Sequence, residues 1–173
     1  MNIFVLDENP IEAGKMYCDK HVPKMVVELY QQLGSAVIRH GATPDMMPRT
    51  QKGTPLKGGY HNHPCTRWVG DTKENFLWAC YHGAMLCDEY TKRFGKIHSC
   101  EKGIEHLYLM THLIPEGELT PFAQAMPDEY KNECAVTAYR DYYIQDKSKF
   151  AKWEKGTPAP DWWPSVLLTE ERL

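Results

Sequence analysis

The chain has 173 residues, 42% hydrophobic and 25% charged, with a formal net charge of −3. That size and apolar content describe a single globular domain over 1–173 with room for a sizeable core. The weak negative charge argues against a protein that coats nucleic acid by bulk charge, and the apolar run Ile3 to Leu6 is far too short for a signal or membrane span. Six scattered cysteines without a secretory signal fit reduced thiols, so the expected setting is cytoplasmic, with no membrane partner.

In chain order, Ile3–Leu6 reads as a short strand or extended arm. Asn9 then Pro10 is a cap followed by a first helical residue. Pro23 either kinks that helix or starts a second one, which stops at Gly41. Along it Val22, Met25, Val26, Leu29, Leu33, Ala36 and Val37 repeat every three or four residues, the helical rule for one buried face. Gly41 to His63 is rich in glycine and proline and reads as a long, functional surface loop. The strongest helix is capped by Asp71 or Thr72 and ends at Gly95; a shorter one covers roughly 101–113. A last long helix spans 128–153 with Tyr139, Tyr142 and Tyr143 inward, and an extended tail docks by its tryptophans. The expected fold is all-α, a compact single domain of four to five helices with a short N-terminal extended arm.

Cys18 to Gly41 concentrates the chemistry. Asp19, Lys20 and His21 precede Pro23, and Lys24 and Glu28 lie four apart on one helix face. An amine and a carboxylate beside a histidine suit covalent or acid–base catalysis, although the same pair also suits a plain surface salt bridge. Arg39, Arg49, Lys52, Lys57, Arg67 and Lys73 make the following segment locally basic despite Asp45 and Asp71. Zinc is a competing reading, since Cys18-x-x-His21, His61-x-His63-x-Cys65 and His98-x-Cys100 carry ligand types. No Cys-x-x-Cys pair accompanies them, so neither a metal nor any other cofactor is expected. A phosphate-binding glycine motif and a nucleophile elbow are both missing.

Asp19–Lys20–His21 with Glu28–Leu29 seven residues past the histidine, then Gly34–Ser35–Ala36, resembles the first helix of the endonuclease V-type pyrimidine-dimer DNA glycosylases of T-even phages. His63 before an aromatic run and a helix ending Thr91–Lys92–Arg93 is similar to that family's central helix, and Tyr142–Tyr143 with Arg140 and Lys147 to its basic C-terminal segment. The opening also resembles that of small phage proteins. The chain departs from the pattern at Asn2, which disfavours removal of Met1, and at Val27 and Gln31, where the family carries arginines.

The resemblance implies a pyrimidine-specific DNA glycosylase/AP lyase in the infected host's cytoplasm, acting as a monomer on double-stranded DNA. Glu28 would be the catalytic carboxylate, and the amine would be Met1 or Lys24, with His21 and Asp19 beside them. Phosphate and base contacts would fall to Arg39, His61, His63, Arg67, Lys73, Arg140, Tyr142, Tyr143 and Lys147. A phage base-modifying transferase on a flipped pyrimidine and a non-enzymatic DNA-binding accessory protein remain as alternatives. The cleft is expected to gather His21, Lys24 and Glu28 beside the 41–63 loop.

Overall fold

The computed structural model describes residues 1–166. Among them the chain forms six α-helices: α1 (Pro10–Met16), α2 (His21–Arg39), α3 (Pro64–Asp71), α4 (Lys73–Phe94), α5 (Glu101–Tyr108) and α6 (Ala135–Lys147). Short 3-10 turns lie at Pro44–Met46, Thr111–Leu113 and Asp128–Tyr130. The described residues contain no paired strand, only an isolated bridge between Arg49 and Pro55. Helix α4 packs against α1, α2, α3 and α5, and α2 lies in turn on α3 and α5.

The local reasons are conventional ones. Asn9 Oδ1 accepts from the backbone of Ile11 and Glu12, with Pro10 as the first helical residue of α1. Helix α2 starts at His21, so Pro23 falls in its first turn, where a missing N–H breaks no helical bond. All seven residues of its apolar stripe are buried. Thr72, rather than Asp71, caps α4 by accepting from Asn75 at 3.1 Å, and Gly95 ends it at φ 71°.

Three expectations need correction. The run after His63 is itself a helix, α3, which Asp71 ends. The 101–113 helix stops at Tyr108 and finishes as a 3-10 turn. The helix expected over 128–153 survives only as Ala135–Lys147. Gln124 clamps the backbone of Asn132 through both its amide atoms, and Asn132 Oδ1 accepts from Cys134 N. Side-chain bonds to backbone of this kind compete with the helix and delay its start. At the far end the chain leaves the helix so that Asp19 N can donate to Lys152 O and Glu154 N to Asp19 Oδ2.

Ile3–Leu6 forms no paired strand and bends at Leu6, whose N–H reaches Phe4 O at 2.9 Å, and all four side chains are buried at 4% exposure or less. Burying each is worth about 1.5–3 kcal/mol, against about 1–2 kcal/mol per residue to fix the backbone, so the arm stays down. Others of its polar groups are met by side chains. Phe4 N donates to Tyr17 Oη at 2.8 Å, and Phe4 stacks on His21 with ring centroids 4.7 Å apart. The tail docks through Trp153 and Trp163, 4.8 Å apart, with Trp153 Nε1 donating to Met16 O. Leu167 and Leu168, the end of the expected tail, lie outside the described residues.

Both buried histidines beside the arm are held neutral. Tyr143 Oη accepts from Cys18 N and lies 2.7 Å from His21 Nδ1. Tyr17 Oη likewise accepts from Phe4 N and donates to His82 Nε2 at 3.0 Å, while His82 Nδ1 bonds Pro10 O. Burial lowers His21 to about 3, helped by Lys147, Lys24 and Lys20, and lowers His82 to about 4. The unfolded chain therefore binds protons that the folded chain refuses, below about pH 6.5. The stability these histidines contribute is complete above that pH and lost as pH falls through the folded values. Denaturant midpoints should be flat from pH 7 to 8 and drop steeply between about pH 6 and pH 4. Replacing His82 with Gln should reduce that acid slope by about one proton.

Candidate active site

The buried arm delivers the chain's first residue to α2. The Met1 α-ammonium lies 3.1 Å from Glu28 Oε1. The Met1 side chain is only 2% exposed although the residue as a whole is half-buried, so the main chain is what solvent reaches. Asn2 does the aiming. Its side chain donates to Ala125 O at 2.7 Å and accepts from Ile3 N at 2.8 Å, and Tyr139 Oη lies 3.1 Å from its Oδ1. Tyr139 is itself fixed by Ala123 O and Ala125 N, and is fully buried.

The loop before α3 closes against the same helix face. Ser35 Oγ donates to Gly59 O and accepts from Gly59 N, both at 2.8 Å. Gly58 has φ 70°, and a Cβ there would collide with Ser35. Glu28, Gln31 and Ser35 are spaced three and four apart, so the loop runs along the face that carries Glu28. It then turns through Tyr60, the one non-glycine residue at positive φ (53°) among the described residues, to reach His63. His63 caps α3, its Nδ1 accepting from Cys65 N at 3.1 Å. Partial burial holds His63 below the usual histidine range, as does the Met1 ammonium, with Glu28 pulling the other way. A neutral His63 capped in this way carries its proton on Nε2. Cys65 lies behind, its thiol pushed by burial up to about 11, too weakly acidic to act as a nucleophile.

The other expected catalytic residues lie elsewhere. Asp19 is buried in an ion pair with Arg93 at 3.1 Å, and Arg93 also reaches Tyr17 O, Lys15 O and the carboxylate of Glu89. It ties α4 to the segments flanking α1 and to the tail. His21 is sealed under Phe4. Lys24 is exposed and makes no ion pair with Glu28. The expected convergence of His21, Lys24 and Glu28 is thus replaced by that of Met1, Glu28 and His63.

Several expected phosphate ligands are engaged with acids: Arg39 with Asp71 at 2.9 Å, Lys73 with Glu116, Arg140 with Asp7 at 3.5 Å, and Lys147 with Asp146 at 2.8 Å. Tyr143 is fully buried and Tyr142 is half-buried beneath Lys147. His61 and Arg67 are exposed beside His63. Among the described residues no group of three or more His, Cys, Asp or Glu is placed to hold a metal ion, and no helix is long and apolar enough to cross a membrane.

A paired α-amine and carboxylate can carry out imine chemistry. The carboxylate accepts a proton as the amine attacks an electrophilic carbon, then returns it to the leaving oxygen. An α-amine suits this better than a lysine. α-Amines titrate near 7.7–8.0 and lysines near 10.4, so the free base of the former is roughly 300-fold more abundant at neutral pH.

The positions of Asp19 and Glu28 separate a structural from a chemical role. Asp19→Ala strands the buried Arg93 guanidinium and should cost about 3–5 kcal/mol of stability. Urea denaturation should show that loss, and Glu28→Gln should show little by comparison.

No protein-family model matches this sequence, and no curated protein or solved structure matches it either.

Proposed function

We propose that this protein is a DNA glycosylase/AP lyase acting on a damaged or modified pyrimidine, with the Met1 α-amine as nucleophile and Glu28 as the catalytic carboxylate. The observation that carries the reading is the 3.1 Å ion pair between these two groups, built by an arm whose own side chains are buried. The amine attacks C1′ of the deoxyribose as the C1′–N1 bond breaks and the electron pair leaves with the base. Its proton passes to Glu28, which returns it to O4′ as the sugar ring opens to an imine. Elimination of the 3′ phosphate then cuts the strand.

The substrate class comes from the resemblance of the Asp19 to Ala36 segment. Several features are compatible with an extruded nucleotide. Tyr60 is 63% exposed on the loop that precedes His63, and an exposed ring can stack on an unpaired base. Lys24, one turn ahead of Glu28, and Lys57 and Arg67 are exposed cations available for phosphates, with His61 an exposed hydrogen-bonding group beside them.

The test is borohydride trapping on duplexes that carry a pyrimidine dimer, an abasic site or 5-hydroxymethyluracil. A covalent adduct is expected, and peptide mapping should place it on the residue-1 amine. Selective acetylation of that amine should abolish it, and Lys24→Arg should not. Glu28→Gln should retain DNA affinity within about twofold and lower strand cleavage by at least about 100-fold. An adduct on any lysine, or none on all three duplexes, would overturn the assignment.

A further inference from the structure

Gln32 is wholly buried, and neither of its amide atoms has a hydrogen-bond partner among the described residues. A complete amide left in this state is a net cost to the fold, and an apolar side chain of similar volume would avoid it. Gln32 lies one helical turn after Glu28, four residues on, so the two side chains share a face of α2. Glu28 Oε2, the oxygen not engaged by Met1, is likewise buried and unpartnered. One turn of helix therefore holds an acceptor without a donor and a donor without an acceptor.

We propose that Gln32 is a positioning residue for Glu28: its Nε2–H donates to Oε2 when the Met1 amine leaves Oε1 for the substrate. This rests on the amine–carboxylate reading above and assigns the group that holds the carboxylate once its ion-pair partner has gone. In the resting site the ammonium orients Glu28. After attack on C1′ the nitrogen is bonded to carbon, and the carboxylate must stay aimed to return its proton to O4′. A hydrogen bond from a buried neutral amide provides that aim without adding a charge that would compete with the amine. It also explains why a costly buried amide sits one turn from Glu28.

The Met1 ammonium from the arm contacts Glu28, and Tyr17 from the α1–α2 connection, His63 from the loop and Cys65 from α3 lie near enough to feel its charge. Lys24 shares its helix. All are retained in Gln32→Met and Gln32→Asn, so a change in Glu28 titration in these variants reports on Gln32. Met keeps the volume and removes the amide; Asn keeps an amide too short to reach.

The experiment follows the Glu28 side-chain carboxyl carbon by NMR across pH in ¹³C-glutamate-labelled protein, assigned with Glu28→Gln. It is run with the Met1 amine free and after its selective acetylation, which frees the carboxylate as attack does. In the acetylated form both variants should titrate about one pH unit higher than the parent, because a donor to a carboxylate favours its charged form. Gln32→Met should also melt at an equal or higher temperature, and its trapping rate should fall about tenfold at unchanged DNA affinity. Equal Glu28 midpoints in the acetylated parent and variants would overturn the inference. So would a trapping loss that tracks a fall in melting temperature with the titration unmoved. If the parent traps no DNA, the proposed function fails, whereas the NMR comparison still decides whether Gln32 supports Glu28.

Discussion

The structure depends on the arm being held down. Ile3, Phe4, Val5 and Leu6 have no strand to pair with, so hydrophobic burial and side-chain hydrogen bonds fix a segment that would otherwise fray. Tyr17 bonds the arm directly through Phe4 N, and Tyr143 packs on Phe4 while bonding Cys18 and His21 beneath it. Each accepts a backbone N–H and hydrogen-bonds a buried histidine, Tyr17 donating to His82 and Tyr143 lying 2.7 Å from His21 Nδ1. The Tyr17 hydroxyl thereby requires a neutral His82. Protonating His82 sets two donors against each other in a dry environment, and so the anchoring of the arm through Tyr17 is tied to pH.

The buried charge network and the Met1–Glu28 pair are kept in separate places. Arg93, with Asp19 and Glu89, forms a buried charge network that joins α4 to the segments around α1, and Thr157 closes it by donating to Glu89. Both terminal nitrogens of Arg93 are partnered, and its Nε alone is left unmet. The Met1–Glu28 pair is different. It is partly open to solvent, one carboxylate oxygen is unpartnered, and the neighbouring Gln32 is unsatisfied. Unmet polar groups are few in native proteins, and two of them lie one turn apart beside the same amine.

The glycine-rich loop is a fitted part. Gly58 and Gly59 let the backbone close onto Ser35, within hydrogen-bond reach, where any side chain at Gly58 would collide. That approach carries the chain along α2 until His63 caps α3 next to the amine. The small residues at Gly34 and Ser35 in the sequence are thus a seat for the loop, with a Cβ at Gly34 meeting Leu56 at 2.6 Å.

The all-α fold, the α2 stripe, the α1 and α4 caps and the buried tyrosines of α6 were legible in the sequence. They follow from periodicity and capping chemistry, which act over a few residues. Glu28 was marked by its segment's resemblance to a family. The partner of Glu28 was not, because an apolar arm has no local rule that aims it. What aims it is Asn2, read in sequence only as a brake on Met1 removal, held by Ala125 and Tyr139 more than 120 residues away. The same holds for Asp19 and His21, which carry catalytic residue types, yet distant Arg93 and Tyr143 turn them into buried struts. Spacing along a helix tells which side chains share a face. Whether that face meets solvent, an amine or a guanidinium depends on long-range contacts whose loop-closure cost only the whole core can offset.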